Sequence, residues 1–93
     1  MSLPEPEDRL IRKPELIASD MDGDLVMMSI ERGEYYGISG VGVRIWALLA
    51  EPVTVAEIVA KLTREYAIDS DRCLQDCRQF LAGLIERGLV DRC

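Results

Sequence analysis

The sequence predicts an α+β fold, a winged helix-turn-helix domain in which an N-terminal three-stranded antiparallel sheet precedes three helices. Before Gly40, short apolar runs alternate with aspartate and glycine turns, which is typical of antiparallel strands. After Gly40, apolar residues recur every three or four positions, which is typical of amphipathic helices. The 93 residues are 48% apolar and 30% charged, a composition that indicates one globular domain.

The three strands are predicted in chain order. Residues 1–9 are expected to form a flexible acidic tail because they are rich in proline and carboxylates. A first strand over 10–18 contains Pro14, which cannot donate a ladder hydrogen bond and therefore favours an edge or a bulge. A turn cluster at 20–24 leads to a second strand over 25–30. The Arg32-Gly33 turn then leads to a third strand over 34–38, because glycine tolerates the positive φ of a tight hairpin.

Capping residues mark the first two helices. Ser39 is expected to cap the first helix through its hydroxyl, and Pro52 ends that helix. Thr54 and Glu57 form a capping box, in which each side chain accepts a hydrogen bond from the other residue's amide. The second helix should therefore span 55–66.

The third helix is expected to begin at a cap formed by Asp69 or Ser70 and to end at Gly88, which suits a left-handed C-cap. Leu89-Val90 can then add a short closing strand. The apolar arc of this helix is wider than one buried seam needs. We expect its core face to be Leu74, Leu81 and Ile85, and its groove-lining edge to be Cys73, Cys77 and Phe80. The alternative is that all of this arc is core.

Two aromatic features have a structural interpretation. Trp46 lies beside the apolar stripe of the first helix and is expected to pack in the core. Tyr35 and Tyr36 are consecutive on the third strand, so only one of them can face the helices. The other should lie on the open face of the sheet.

Charge and composition argue against several classes of function. Eleven basic and seventeen acidic residues give a net charge of −6, which disfavours a nucleic-acid partner. The chain has no histidine, the usual proton shuttle and commonest metal ligand, so neither catalysis nor a metal or cofactor is expected. No apolar run is long enough to cross a bilayer, and the acidic N-terminus is unlike a signal peptide. A cytoplasmic protein without membrane contact is expected.

Two segments could be interpreted as metal sites, but a structural interpretation is better supported for each of them. Cys73 and Cys77 are one helical turn apart and are interpreted as reduced, small apolar side chains, because a two-thiolate metal site would lack further ligands. A calcium loop could be counted from Asp20 to Glu31. Leu25, however, holds the sixth position, where such a loop needs glycine. A hairpin turn is therefore the preferred interpretation of this acidic segment.

Four segments together resemble a known family. They are Gly33-Glu34-Tyr35-Tyr36-Gly37-Ile38-Ser39, Gly42-Val43-Arg44-Ile45-Trp46-Ala47-Leu48-Leu49, Thr54-Val55-Ala56-Glu57-Ile58 and Phe80-Leu81-Ala82-Gly83-Leu84-Ile85-Glu86-Arg87-Gly88-Leu89-Val90. Their order resembles the PqqD-like family, the RiPP recognition elements that bind leader peptides of ribosomally made, later modified peptides. The resemblance covers residues 10–93 and is greatest with the standalone members of lasso-peptide pathways.

The resemblance implies a non-catalytic protein that accepts a leader peptide as an extra strand beside its third strand. The implied partners are the precursor leader and the leader peptidase and cyclase of the same pathway. The residues expected to bind the peptide are Glu34, Tyr35, Tyr36, Gly37, Ile38, Cys73, Asp76, Cys77 and Phe80.

Three alternatives remain open at this point. One is a peptide chaperone of pyrroloquinoline quinone synthesis, another branch of the same family. A second is a DNA-binding winged helix, which would need the basic third helix that this sequence lacks. The third is a structural subunit whose sheet edge packs permanently against an enzyme.

Overall fold

The computed structural model describes residues 3–13, 17–21, 24–29 and 33–93. These ranges contain six strands and three helices. In chain order they are β1 Arg9–Arg12, β2 Ile17–Met21, β3 Asp24–Ser29, β4 Glu34–Ile38, α1 Val41–Leu48, β5 Val53–Thr54, α2 Val55–Glu65, α3 Ser70–Glu86 and β6 Val90–Arg92. The predicted α+β fold with three helices and an antiparallel sheet is confirmed, and the winged helix-turn-helix arrangement is compatible with it.

The predicted three-stranded sheet is the antiparallel meander β2-β3-β4. In its register, Leu25 lies opposite Ile38 and Met27 lies opposite Tyr36. Met27 and Ile38 are buried, and Leu25 and Tyr36 pack against the same core, so alternate residues of these two strands face the helices. The predicted third strand is β4, with the same bounds as expected.

A second sheet, of order β5-β1-β6, was not predicted. The prediction of one strand over 10–18 is wrong, because the chain forms β1 and β2 there and the two strands join different sheets. β1 is the centre of its sheet rather than an edge, since Leu10 pairs with Val53 on one side and with Arg92 on the other. Pro14 lies outside the described residues. The predicted closing strand is β6.

Both sheets and all three helices contribute to one hydrophobic core. Its buried members include residues of β1, β3, β4, β6 and every helix. Trp46 is 4% exposed, as its packing role predicts, and the guanidinium of Arg12 lies 5.5 Å from the centroid of its ring. The side chain of Arg12 also donates a hydrogen bond to the backbone oxygen of Trp46. These contacts tie the end of β1 to α1.

The caps of α2 and α3 follow the sequence pattern. The Thr54 hydroxyl accepts a hydrogen bond from the Glu57 amide at 3.1 Å, and a Glu57 carboxylate oxygen accepts one from the Thr54 amide at 2.9 Å. Asp69 caps α3 by accepting from the amide of Arg72. Gly88 follows α3 with a φ of +76°, the left-handed conformation that its position predicts.

The predicted cap of α1 is wrong. Gly40, with a φ of +59°, is the N-cap residue, and no side chain caps this helix. Ser39 contributes its backbone carbonyl instead of its hydroxyl, because that oxygen accepts a hydrogen bond from the amide of Gly42 at 3.2 Å. A glycine at positive φ turns the chain sharply between β4 and α1, so the serine side chain is displaced from the capping position.

The core face of α3 is broader than predicted. Leu81 is fully buried, and Leu74 and Ile85 are partly buried and pack against the core, as expected. Leu84 joins them in the core, since it lies three positions after Leu81 on the same face of the helix. The core face of α3 therefore extends toward the side that the sequence assigned to a groove.

The segment before β1 contacts two helices. Pro4 is fully buried, and its backbone oxygen accepts a hydrogen bond from the Arg78 side chain of α3 at 2.8 Å. The oxygens of Pro6 and Asp8 accept hydrogen bonds from the first two amides of α2, at 3.0 and 3.3 Å respectively. The flexibility predicted for residues 1–9 stays a prediction, and these contacts of Pro4, Pro6 and Asp8 argue against it.

The acidic turn at 20–24 and the calcium loop counted from it include Asp22, Gly23 and Glu31, which lie outside the described residues. The same holds for Arg32 of the second turn. Gly33 has a φ of +65°, in agreement with the tight turn predicted before β4.

Candidate functional site

β4 is an edge strand. Among the described strands it pairs only with β3, so every second residue of β4 directs its backbone N–H and C=O away from the sheet. The edge runs from Glu34 toward Ile38 and leads directly into the turn before α1. It thus offers unpaired backbone groups beside the start of a helix.

A groove of about 460 Å³ opens where this strand ends. One wall is the end of β4 and the first turns of α1, and the other is the face of α3 between Cys73 and Phe80. The lining residues are Gly37, Ile38, Ser39, Val41, Gly42, Ile45, Leu62, Ile68, Cys73, Asp76, Cys77 and Phe80. Apolar side chains, glycines and thiols predominate, so most of the groove suits hydrocarbon groups that need no hydrogen-bond partner.

The α3 wall is built from residues one turn apart. Cys73 and Cys77 are both buried, with 3.9 Å between their sulfur atoms, and Phe80 is half-buried beside them. Burial raises the pKa of the Cys77 thiol to about 12, with the neighbouring Cys73 adding to the shift. This thiol therefore remains protonated and uncharged near neutral pH, as expected of a small apolar side chain.

Gly42 brings α1 close to the opposite wall. A Cβ atom at this position would lie 2.7 Å from Cγ2 of Ile38 and 3.1 Å from Cζ of Phe80. These distances are shorter than carbon atoms in contact normally show. The aromatic ring of Phe80 therefore lies against bare backbone, and the absence of a side chain at Gly42 sets the width of the groove there.

Six of the nine residues predicted to bind a peptide lie together on this groove. They are Gly37, Ile38, Cys73, Asp76, Cys77 and Phe80. The other three belong to the edge strand but do not line the groove. Their contribution to binding stays a prediction, as does that of the six.

The two tyrosines occupy opposite faces of β4. Tyr35 is 73% exposed on the open face of the sheet. Tyr36 packs against the core, and the guanidinium of Arg87 lies 5.6 Å from its ring centroid. The expectation that only one of them faces the helices is confirmed. Glu34 is exposed at the start of the strand.

Sequence reasoning missed six lining residues: Ser39, Val41, Gly42, Ile45, Leu62 and Ile68. Three of them, Val41, Ile45 and Leu62, are apolar residues of helices, whose spacing is equally typical of core positions. Gly42 had a usable signal, because glycine inside a helix weakens it and is often retained for a close approach.

Neither a metal-binding cluster nor a membrane-spanning helix is found in the part of the chain that the structure describes. Within the described ranges, no three histidine, cysteine or carboxylate side chains are grouped so that they could hold a metal ion. None of the helices found there has both the length and the apolar character needed to span a bilayer.

The fold and the site together define a small α+β domain with an exposed strand edge leading into an apolar groove. The family model described as coenzyme PQQ synthesis protein D (PqqD) matches residues 24–90. The chain belongs to the PqqD family, as the resemblance in sequence predicted. No match was found among the curated proteins.

Two solved structures are similar to this one. TbiB1 in complex with the TbiA(beta) leader peptide is 31% identical, with a TM-score of 0.79, over 87% of this chain and 94% of that one. Lasso peptide synthetase B1 complexed with the leader peptide is 22% identical, with a TM-score of 0.77, over 88% of this chain and 96% of that one. The first agrees with the family assignment and the second with the fold. The predicted similarity to RiPP recognition elements of lasso-peptide pathways is confirmed.

Proposed function

We propose that this chain binds the leader of a ribosomally made precursor peptide as an additional strand on β4. The observation that carries the proposal is the free edge of β4 leading into the groove beside α3. A peptide strand on this edge would exchange backbone hydrogen bonds with β4, while alternate side chains would turn toward the groove. Each backbone bond contributes only about 0.5–1.5 kcal/mol net, so the choice among peptides depends on the groove.

The two similar structures support this proposal, because both are complexes with leader peptides. The second of them, a lasso peptide synthetase, also favours a lasso-peptide pathway, in which the chain would deliver the bound leader to a leader peptidase and a cyclase. The proposed role is non-catalytic. The groove supports it by offering one carboxylate and a protonated thiol rather than a base paired with a nucleophile.

The family description favours a second candidate within the same class. Coenzyme PQQ synthesis protein D gives the matching family its name, which supports a peptide chaperone of pyrroloquinoline quinone synthesis. For either pathway we propose the cytoplasm as the location, since precursors are made there and the buried thiols of Cys73 and Cys77 would stay reduced.

Fluorescence anisotropy of labelled leader peptides tests the proposal. One labelled leader is taken from a lasso precursor and one from a pyrroloquinoline quinone precursor, and each is titrated with the purified chain. Saturable binding of the lasso leader alone is expected. Saturable binding of the pyrroloquinoline quinone leader alone would instead assign the protein to pyrroloquinoline quinone synthesis. If neither leader binds the folded chain, the leader-binding proposal fails and duplex DNA is the next ligand to titrate.

The mode of binding has a separate test. Leaders methylated at single backbone nitrogens lose one hydrogen-bond donor each, without loss of a side chain. Strand addition predicts that methylation weakens binding at alternate positions along the leader, because only every second amide faces β4. Equal effects at successive positions, or none at all, would contradict strand addition while leaving leader binding itself intact.

A further inference from the structure

Asp76 differs from the rest of the groove. Among the lining residues that the structure describes, it is the only one with a charged side chain. It lies on α3 between Cys73 and Cys77 in sequence, at the edge of an otherwise apolar wall. A ligand side chain that fills this groove therefore contacts buried thiols and hydrocarbon within it and an exposed carboxylate at its rim.

The carboxylate of Asp76 has capacity for another cation. Its recorded partner is Arg72, with 3.9 Å between Nε and Oδ2, and the two side chains are 81% and 70% exposed. An ion pair this long and this exposed contributes little to stability and is easily exchanged. An incoming cation can therefore replace Arg72 at small cost.

Two arginines on the helices that form the groove walls are already engaged elsewhere. Arg44 of α1 forms two hydrogen bonds with the Glu65 carboxylate, at 2.8 and 2.7 Å. Arg78 of α3 is held by the backbone oxygen of Pro4 and by Glu5. No described basic residue lines the groove, and the net charge of −6 favours approach of a positively charged ligand.

We infer that Asp76 selects leaders that bring a lysine or arginine into the groove, with the aliphatic stem along Cys73 and Cys77 and the charged end at the rim. Such side chains bury their methylenes against apolar surface while the cation stays near water, which matches the order of groups in this groove. The inference rests on the proposed leader binding and adds the chemical class of one leader residue.

A substitution series in the leader tests this. Starting from the leader that saturates the chain, each position is replaced in turn by lysine and by norleucine, which has a similar stem without the charge. We expect at least one position at which lysine binds about twofold to fivefold more tightly than norleucine, as for an exposed ion pair. This preference should decrease as salt is raised.

The same series is then measured on two variants of the protein. Asp76→Asn should abolish the preference for lysine. Asp71→Asn should retain it, because this exposed carboxylate of α3 does not line the groove although its loss changes the net charge equally. The two variants separate a local contact from the overall charge.

The outcomes distinguish this inference from the proposed function. Tight binding with no lysine-preferring position, or a preference that survives in Asp76→Asn, overturns the role of Asp76 and leaves leader binding intact. A preference lost equally in both variants assigns it to net charge and also overturns the inference. Failure of every leader to bind the unaltered chain overturns both proposals.

Discussion

Phe80 lines the groove from α3. Its ring packs against Gly42 and forms part of the α3 wall, yet it is only half-buried. Removing a half-buried ring should cost less stability than the roughly 3–5 kcal/mol of a fully buried one. We therefore predict that Phe80→Ala weakens leader binding by about tenfold, a typical loss for an aromatic anchor, while the domain stays folded.

Ile85→Ala provides the matched control for this change. Ile85 is also half-buried on α3 and packs against the core, but it does not line the groove. Urea unfolding should show comparable losses for the two variants, and anisotropy should show weaker leader binding only for Phe80→Ala. Unchanged affinity of folded Phe80→Ala would show that Phe80 serves the core alone.

Gly42 leads to a second prediction. The Cβ of Gly42→Ala would be forced against Ile38 and Phe80, so the Ile38 side chain must shift, the Phe80 ring must give slightly, and the groove between them changes shape. Overpacking of this kind costs about 1–3 kcal/mol, partly offset by the better helix propensity of alanine. We expect lower stability and weaker leader binding, measured by urea unfolding and by anisotropy.

Gly83→Ala on α3 is the comparison for Gly42→Ala. A Cβ there would meet only the end of the Arg87 side chain at 3.7 Å, an ordinary contact. This variant should gain about 0.5–1 kcal/mol of stability from helix propensity and bind the leader normally. If both variants behave alike, the close approach at Gly42 has no role in the groove.

The roles of some side chains could be predicted from the sequence, whereas the roles of others could not. The capping pair Thr54 and Glu57 was predictable, because both partners are three positions apart and the bond is local. Ser39 was not, because the positive φ of Gly40 changes where the helix begins. Leu62 and Ile68 reach the groove from another helix and the loop after it, and only tertiary packing brings them there.

The ion pair between Arg44 of α1 and Glu65 of α2 should make the stability of the fold depend on pH in the acid range. Arg44 donates two hydrogen bonds to the Glu65 carboxylate, and these bonds hold the pKa of Glu65 below its usual value near 4.5. A carboxylate whose pKa is lower in the folded state than in the unfolded state stabilises the fold when the pH is above the unfolded-state pKa. This stabilisation is lost as the pH falls through the folded-state pKa. The capping bonds of Thr54 lower the pKa of Glu57 in the same direction.

We predict that Glu65→Gln lowers the urea midpoint at pH 7 and that its difference from the unaltered chain shrinks as the pH falls from about 5 to 3. Both carboxylates are exposed, so added salt should reduce the effect. Glu51→Gln, an exposed carboxylate in the loop after α1, is the control. A difference that stays constant across this pH range would exclude the ion pair as its source.

The three helices could be predicted from the sequence, whereas the strand predicted over 10–18 could not be assigned to the correct sheet. The caps of α2 and α3 depend on neighbours three residues away, and the amphipathic pattern extends over several turns. β1 depends instead on pairing with β5 and β6, which begin more than forty residues later in the chain. Nothing local in residues 10–18 distinguishes a strand of one sheet from a strand of the other.

The segment before β1 links α2 and α3. Pro4 is buried, its backbone oxygen accepts a hydrogen bond from Arg78, and the oxygen of Pro6 accepts one from the second amide of α2, which has no partner within its own helix. We predict that removal of residues 1–7 lowers the free energy of unfolding by about 1–3 kcal/mol, since lost hydrogen bonds contribute about 0.5–1.5 kcal/mol each. Urea unfolding of this truncation against removal of residues 1–2 alone measures the effect.

An unchanged unfolding midpoint after removal of residues 1–7 would support the flexible tail that the sequence predicts. The prediction of a tail considered composition, which is polar and proline-rich. It could not include the partner of Pro4, Arg78, because that residue is 74 positions away in sequence. Long-range contacts of this kind are the part of the architecture that a single sequence conveys least.

Trp46 has a consequence for optical measurements. It is the single tryptophan of the chain, it is 4% exposed, and it does not line the groove. Its intrinsic emission should therefore shift to longer wavelength when the core opens to water and stay nearly constant when a ligand occupies the groove. Unlabelled protein thus carries its own spectroscopic reporter of folding, whose signal is independent of the dye on the peptide.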